Sequence, residues 1–364
     1  MLSYQFINSD VALKEFCTHL QISNGLALDT EFMRTKTFYP CLALLQVYDG
    51  INLALIDPLL IDDWQPFVDI LKNNKIEKYF HACSEDIEVF TRHFDCVPEN
   101  ILDSQILASF LDNPLSSGYA TLVDKYLSIK LDKSETRTDW LQRPLTDRQC
   151  LYAANDVLYL LPLMHKLKSL LFDNGFLNAA YEECLNAVKR RSQSPQADEA
   201  YLQIKNAWQL RPIQLGYLKK LASWRFEYAK THDMALNFVI HQDILWSLAR
   251  YQPKSLSELS ALGMNGKQLR LFGDTLLSIL KKASEPVAQI KRMTDYPDYK
   301  KWSTLIKEAA EEISMKTGLN SELLVSKRHI EQFLRWHNHD MTEQPEILTG
   351  WRGKLFKRIL IKDE

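Results

Sequence analysis

The chain has 364 residues, a length that suits two or three domains and can bury a large core without disulfides or structural metals. Its 46% hydrophobic and 25% charged residues exclude a disordered, collagen-like or disulfide-stapled chain, and its 11 glycines, few beside a usual level of about 7%, favour long helices over an all-β sandwich. The formal net charge of −2, taken whole, argues against nucleic-acid binding, which draws on surplus Lys and Arg.

The N-terminus, Met1-Leu2-Ser3-Tyr4-Gln5, has neither the basic and apolar regions of a secretory signal nor the Arg-rich start of a transit peptide. Residues 25–32, 41–48 and 52–57 read as short strands, with Asp49-Gly50 at the turn between the last two. Residues 63–73 read as a helix, and 78–82 as a strand running into a helix over 85–94. After Pro98 the pattern becomes mainly helical, so the first half is α/β, a sheet covered by helices. Thr146 with Gln149 forms a capping-box start, and Pro162 should kink or split the helix that follows. Asp173-Asn174-Gly175 stops the next helix, and another ends in Lys189-Arg190-Arg191 before the polar linker Ser192-Gln193-Ser194-Pro195-Gln196.

The second half lacks convincing strands and repeats itself. Asn237-Phe238-Val239-Ile240 stands five residues before Leu245, and Glu322-Leu323-Leu324-Val325 five before Ile330, an offset of 85 in both cases. Gly273 with Ile279-Leu280 returns as Gly353 with Ile359-Leu360 at an offset of 80. Two helical modules meeting near Pro286–Pro297 fit this pattern. Charge divides along the same line. Residues 1–190 carry 17 Lys and Arg against 26 Asp and Glu, a balance of −9, and residues 191–364 carry 27 against 20, a balance of +7. Such asymmetry points to two jobs.

The cysteines, Cys17, Cys41, Cys83, Cys96, Cys150 and Cys184, contain no CxxC pair and read as buried free thiols. The longest apolar runs are far too short for a bilayer, so a cytoplasmic protein without membrane partners is expected.

Asp29-Thr30-Glu31 places two carboxylates on one strand face beside the apolar Leu26–Leu28 run. They are exposed, salt-bridged, or neutralised by a divalent cation, since Mg²⁺ and Mn²⁺ favour oxygen ligands. Asp86 opens a helix, where acids are ordinary. Tyr152 and Asp156 share a helix face at i and i+4, which by itself suits a packed Tyr beside a surface Asp. His337-Asn338-His339 lacks a third metal ligand in the sequence, and His81 and Cys83 read as packing residues.

Together these pieces are far more specific. Leu28-Asp29-Thr30-Glu31-Phe32, His81-Ala82-Cys83-Ser84-Glu85-Asp86 and Tyr152-Ala153-Ala154-Asn155-Asp156-Val157 resemble, in this order, the three motifs of the DEDD superfamily of 3′–5′ exonucleases, in its Tyr-containing subgroup. The resemblance is closest to the ribonuclease D family, and Tyr39-Pro40, Leu42 through Gln46, Asp103-Ser104-Gln105, Leu131 through Trp140 and Arg143-Pro144-Leu145 agree with it. The basic half resembles two HRDC modules, the first more closely, through Leu221-Ala222-Ser223-Trp224-Arg225. Met33 and Ser104 depart from the expected Val and Thr, at positions outside the ligand set.

The resemblance implies an α/β ribonuclease H-like exonuclease domain, a mixed sheet flanked by helices, over 1–191. A linker and connecting helix over 192–206 would lead to HRDC domains over 207–288 and 289–364. Asp29, Glu31, Asp86 and Asp156 would hold two divalent ions, Mg²⁺ or Mn²⁺, about 3.5–4 Å apart astride the scissile phosphate. Asp29 would bridge both ions, Glu31 and Asp156 would complete the site of the attacking water, and Asp86 would serve the second ion, directly or through water. Tyr152 would orient that water, since a phenol with an ordinary pKa of about 10 is better placed to position than to abstract. The substrate would be RNA with a free 3′ end, tRNA precursors foremost, cut by a monomer that releases 5′-mononucleotides. A DNA exonuclease and a non-catalytic RNA-binding protein are the alternatives, the second opposed by the full motif set. Lys219-Lys220, Lys281-Lys282, Lys291-Arg292, Lys300-Lys301 and Lys327-Arg328 are candidate phosphate contacts or solvated helix faces. Trp208, Trp224 and Trp246 are candidate stacking platforms or core residues. Arg137, Asp139, Trp140 and Arg143 would line the substrate path or brace the active-site helix.

Overall fold

The computed structural model describes residues 3–20, 23–131, 138–193 and 196–361. The chain forms two compact units: one comprises residues 1–33, 40–193 and 297–364, the other residues 34–39 and 194–296.

The first unit is built on a mixed sheet of β1 (Gln5–Ile7), β2 (Gly25–Met33), β3 (Cys41–Tyr48), β4 (Leu53–Ile56), β5 (Glu77–Phe80) and β6 (Ile101–Asp103). The spatial order is β1-β4-β3-β2-β5-β6, with β2, β3 and β4 antiparallel in turn and the outer pairs parallel. The hairpin stands where Asp49-Gly50 placed it. The Asp49 carboxylate accepts the amides of Ile51 and Asn52 at 2.8 and 2.6 Å, and Gly50 takes φ +99. Helices α1 (Asp10–Leu20), α2 (Gln65–Lys72) and α3 (Ser84–Phe94) surround one core, in which Leu26 and Leu28 of β2 meet Phe16, Phe67 and Phe90. Helices α4 (Ser104–Ser109), α5 (Tyr119–Leu127), α6 (Asp147–Leu158), α7 (Leu160–Asp173) and α8 (Leu177–Ser192) complete the α/β part. Both β1 and β6 have only three residues, too few for alternation to register, and β6 interrupts the helical run expected after Pro98.

Helix α6 begins with the expected capping box: the Gln149 amide donates to Thr146 Oγ1 at 3.2 Å, and Thr146 N donates to Gln149 Oε1 at 2.9 Å. Pro162 splits the run, so that α6 ends and α7 begins around Tyr159. Five of the six cysteines are buried, and Cys41 is exposed.

The second unit holds α9 (Pro212–Thr231), α10 (Leu236–Val239), α11 (Gln242–Tyr251), α12 (Leu256–Ala261) and α13 (Gly266–Lys281) around Leu218, Leu221, Leu245, Leu248, Phe272 and Leu276. Residues 34–39 belong to it: Phe38 and Tyr39 donate their amides to one Asp233 oxygen at 3.0 Å, and the Phe38 and Phe226 rings meet edge-on at 5.3 Å.

The C-terminal helices α14 (Tyr299–Thr317), α15 (Ser321–Leu324), α16 (Lys327–His337) and α17 (Gly350–Leu360) belong to the first unit. The pairs α10/α15 and α11/α16 both start 85 residues apart, the spacing of the sequence repeat. Buried Arg352 of α17 pairs with Glu183 of α8 and donates to the carbonyls of Leu323 and Leu324 at 2.8 and 3.2 Å. Glu183 also accepts the Trp351 indole at 3.2 Å, and Glu346 gathers Arg190 and Arg328. Burial opposes the Glu183 charge, but Arg352 outweighs it and holds this carboxyl below its ordinary range.

Two glycines separate packing from propensity. A Cβ on Gly216 would stand 2.0 Å from the Glu285 carbonyl oxygen, whereas one on Gly266 would meet nothing within 4 Å. Gly216→Ala is therefore expected to destabilise the second unit by about 1–3 kcal/mol, and Gly266→Ala to leave stability unchanged or raise it by up to about 1 kcal/mol. Urea titration of both variants measures this, and equal midpoints would contradict it.

Candidate active site

Asp29 and Glu31 project from the same face of β2, opposite Gln46 and Leu44 of β3. The register slips between Glu31 and Phe32, leaving Ala43 as the extra residue of a β-bulge, a device that re-aims neighbouring side chains. Asp156 arrives from α6, which lies against β2, β3 and β4. Carboxylate oxygens of Asp29, Glu31 and Asp156 lie within 4.8 Å of one another.

Asp86 is not part of that trio. It sits in the first turn of α3, 7% exposed, and accepts the Thr30 hydroxyl at 2.5 Å from the opposite face of β2. The turn that delivers it is held by buried Asp103 at the end of β6. Its carboxylate accepts the amides of Ala82, Cys83 and Gln105 at 3.0, 2.9 and 2.8 Å, which supports Ala82 at φ +56. His81 Nδ1 meets Ser104 Oγ at 2.8 Å, and burial lowers its pKa, so His81 and buried Cys83 pack as expected.

The Tyr152 hydroxyl donates to Asp156 one turn along α6, and its ring lies 6.1 Å from the buried Trp140 ring. The motif reading did not single out Tyr119. Its pKa is raised well above the ordinary phenol value by burial first, and then by Asp156 and Asp29. A lone tyrosine at the start of α5 carries no sequence signal for that placement.

Although Asp29, Glu31 and Asp156 are only half-buried by exposure, protein crowds them enough for desolvation to dominate. It pushes Asp29 well above its ordinary value, with added repulsion from Asp156, Asp86 and Glu31. Glu31 is pushed up to about 9 by burial, then by Asp156 and Asp86. Asp86 and Asp156 are each pushed up to about 7 by burial, partly offset by the Thr30 and Tyr152 hydrogen bonds. Among the described residues no cation pairs with any of the four. Beside them the Gln46 amide, opposite Asp29, is fully buried with neither polar atom bonded. Clustered hard oxygen donors lacking a counter-charge fit divalent cations of the Mg²⁺ or Mn²⁺ type.

The basic candidates divide. Arg137 lies outside the described residues. For Arg143, expected either to line the substrate path or to brace the active-site helix, the bonding favours a bracing role: all five of its N–H groups have protein acceptors. It grips Asp57 at 2.6 and 2.8 Å and the carbonyls of Ala43, Trp140 and Gln142 at 2.7, 2.7 and 3.0 Å. Because Ala43 is the bulge residue, Arg143 braces the strand pair carrying Glu31. Lys220 donates to the Ala283 carbonyl at 2.6 Å, and Lys219 stands 3.5 Å from Asp198 in an exposed pair of little energetic weight. Lys281, Lys282, Lys300, Lys301 and Lys327 are exposed. Arg328 pairs with Glu346, and Arg292 with Asp295 while stacking on Trp208. Trp224 and Trp246 pack partly buried against the second unit's core. The exposed His337 stacks on Phe333, and among the described residues His337 and His339 join no group with metal-ligand spacing.

Three family models match the chain: a 3′-5′ exonuclease over residues 4–171, an HRDC domain over 214–280, and a ribonuclease D C-terminal HRDC domain over 297–360. Ribonuclease D of Serratia proteamaculans is 46% identical over 361 residues, 97% of each chain. The crystal structure of Escherichia coli RNase D, described as an exoribonuclease involved in structured RNA processing, matches with TM-score 0.94 at 45% identity, covering 98% of this chain and 97% of that one. The catalytic core of RRP6 from Trypanosoma brucei shares the fold, with TM-score 0.62 at 22% identity over 77% of this chain and 79% of that one.

Two measurements test the site. In metal-free protein the raised carboxyls keep their protons to higher pH when folded than when unfolded. Stability should then fall as pH climbs from about 4, the unfolded carboxylate value, through the folded values of about 7 to 9. Chelator-treated protein is expected to melt lower at pH 8.5 than at pH 5.5, and Asp156→Asn to narrow the gap. Added Mg²⁺ should restore stability at the higher pH. A melting temperature that stays level across this interval contradicts the assignment. Separately, Arg143→Ala leaves Asp57, whose side chain is 2% exposed, without its partner. A loss of about 3–5 kcal/mol by urea denaturation is expected, against less than about 1 kcal/mol if Arg143 were a surface contact.

Proposed function

Since the chain belongs to the ribonuclease D family and is a 3′–5′ exoribonuclease, we propose that it trims the 3′ ends of tRNA precursors and other small structured RNAs by a two-metal-ion mechanism, as a cytoplasmic monomer. Among the described residues no helix is long and apolar enough to cross a membrane. The observation that carries the mechanistic reading is the meeting of Asp29, Glu31 and Asp156 oxygens within 4.8 Å, with no cationic side chain paired to them among the described residues, in a chain whose relatives are ribonucleases along their full length.

Asp29, Glu31, Asp86 and Asp156 would hold two Mg²⁺ or Mn²⁺ ions. Bound there, the ions would lower the pKa of the attacking water and stabilise the leaving 3′ oxygen. Asp29, on whose charge Glu31, Asp86 and Asp156 all act, would be the ligand shared by the site. Asp86, tied to Thr30 and outside the trio, would act on the second ion's side, directly or through water. Tyr152 rests against Asp156, where its hydroxyl can turn to hold the nucleophilic water in line with the terminal phosphodiester. Ala153 and Ala154, both fully buried, let α6 approach the sheet closely enough for this geometry.

The division into an exonuclease domain over 1–191, a linker over 192–206 and HRDC domains over 207–288 and 289–364 accompanies this reading. RNA would be attracted by cations that the protein does not use itself, Lys281 and Lys282 above all. With four acids at the cutting site, a polyanion approaches only when cations are bound there.

The deciding assay uses full-length protein and a tRNA carrying a 3′ extension. Release of 5′-mononucleotides with Mg²⁺ or Mn²⁺, ended by chelator, is expected, as is preference over single-stranded DNA of equal length. Asp29→Asn and Asp156→Asn should each lose about 10³-fold in rate, the scale of several kcal/mol of lost charge stabilisation. Full activity in either variant would refute the mechanism. Lys281→Glu with Lys282→Glu should weaken RNA binding and flatten its salt dependence, and an unchanged salt slope would exclude the pair as phosphate contacts.

A further inference from the structure

Helix α6 is interrupted just where it delivers its acid. In an unbroken helix the Asn155 carbonyl would accept the amide of Tyr159, four residues on. The chain instead breaks at Tyr159, with φ −90 and ψ −10, ahead of Pro162. The Asn155 carbonyl accepts the hydroxyl of Tyr119 at 3.1 Å, from the first residue of α5. The Tyr159 amide donates to the Val157 carbonyl instead, so the Tyr119 hydroxyl stands where the ladder bond to Asn155 is missing.

The Tyr119 ring is itself held from the side of the second motif. It lies 5.5 Å from His81, whose Nδ1 is tied to Ser104, in the turn leading to Asp86. A single phenol thus spans the turn that launches Asp86 and the helical turn that presents Asp156.

We propose that Tyr119 is a positioning residue for RNA hydrolysis: its hydroxyl replaces the missing ladder bond at Asn155 and holds the last turn of α6, and with it the Asp156 carboxylate, within ligand distance of Asp29 and Glu31. This rests on reading those three acids as metal ligands. The bond has leverage because the carboxylates repel one another, and ligand geometry tolerates displacements of only about 0.5 Å. The break removes the backbone bond that would otherwise resist such a displacement.

Tyr119→Phe removes the oxygen and keeps the ring on His81. In full-length protein, Mn²⁺ affinity measured calorimetrically is expected to fall about five- to tenfold, the scale of one lost hydrogen bond. The kcat on 3′-extended RNA should fall by a similar factor, with KM unchanged. A purely structural role would lower the melting temperature and leave the Mn²⁺ affinity of the folded protein untouched. Parental Mn²⁺ affinity and kcat in Tyr119→Phe, while Asp156→Asn abolishes both, overturn the proposal and leave the ligand reading standing. Loss in Tyr119→Leu alone assigns the effect to the ring and also overturns it. Parental Mn²⁺ binding and activity in Asp156→Asn remove the ligand reading, and the proposal with it.

Discussion

Four carboxylates held close together in a desolvated corner of a protein repel one another and resist ionisation, and the exonuclease fold is organised around overcoming that. Nothing local favours the arrangement. Asp29 and Glu31 share a strand face because of the two-residue period, but Asp156 comes from a helix more than a hundred residues later, and the three still meet within 4.8 Å. Burial pushes all four pKa values upward. Protons or divalent cations can each relieve that repulsion, and the clustered oxygen donors fit the cations.

The surrounding contacts are anchors that hold those groups against their mutual repulsion. Asp103 fixes the turn ahead of Asp86 through three backbone amides. Arg143 clamps the bulge beside Glu31 to Asp57. The Thr146–Gln149 box sets where α6 begins, and the break before Pro162 sets where it stops. Asp103 and Arg143 are buried or half-buried groups whose partners are backbone atoms or a single opposite charge, the condition under which such groups stabilise rather than penalise a fold.

Charge follows a related logic. The acidic first half and basic second half suggest a catalytic part and a phosphate-binding part, and that division corrects what the total of −2 implied about nucleic acid. The basic surplus is smaller in effect than its count, however. Arg352 is consumed by Glu183, Arg328 by Glu346, and Arg225 is buried with one bond to the Ile240 carbonyl and a pKa lowered by desolvation to about 10. Lys281 and Lys282 stay exposed, whereas Lys220 is bonded to the Ala283 carbonyl.

The sequence by itself determined whatever depends on neighbours within a turn or on exact motif order. The Asp49-Gly50 hairpin, the capping box, the Pro162 split, the repeat at 85 residues and the Asp, Glu, Asp, Tyr and Asp positions all belong to that class. Two kinds of feature were hidden. Strands of three residues, β1 and β6, exist only because neighbouring strands supply their hydrogen bonds. Arg143 and Tyr119 acquire their roles from partners 86 and 36 residues away, and neither residue type nor spacing discloses such a partner. Tertiary structure alone decided which cations are spent inside the protein and which polar side chains repair broken backbone bonding. The physical reason is that hydrogen bonds between distant segments are fixed by packing, which no local pattern records.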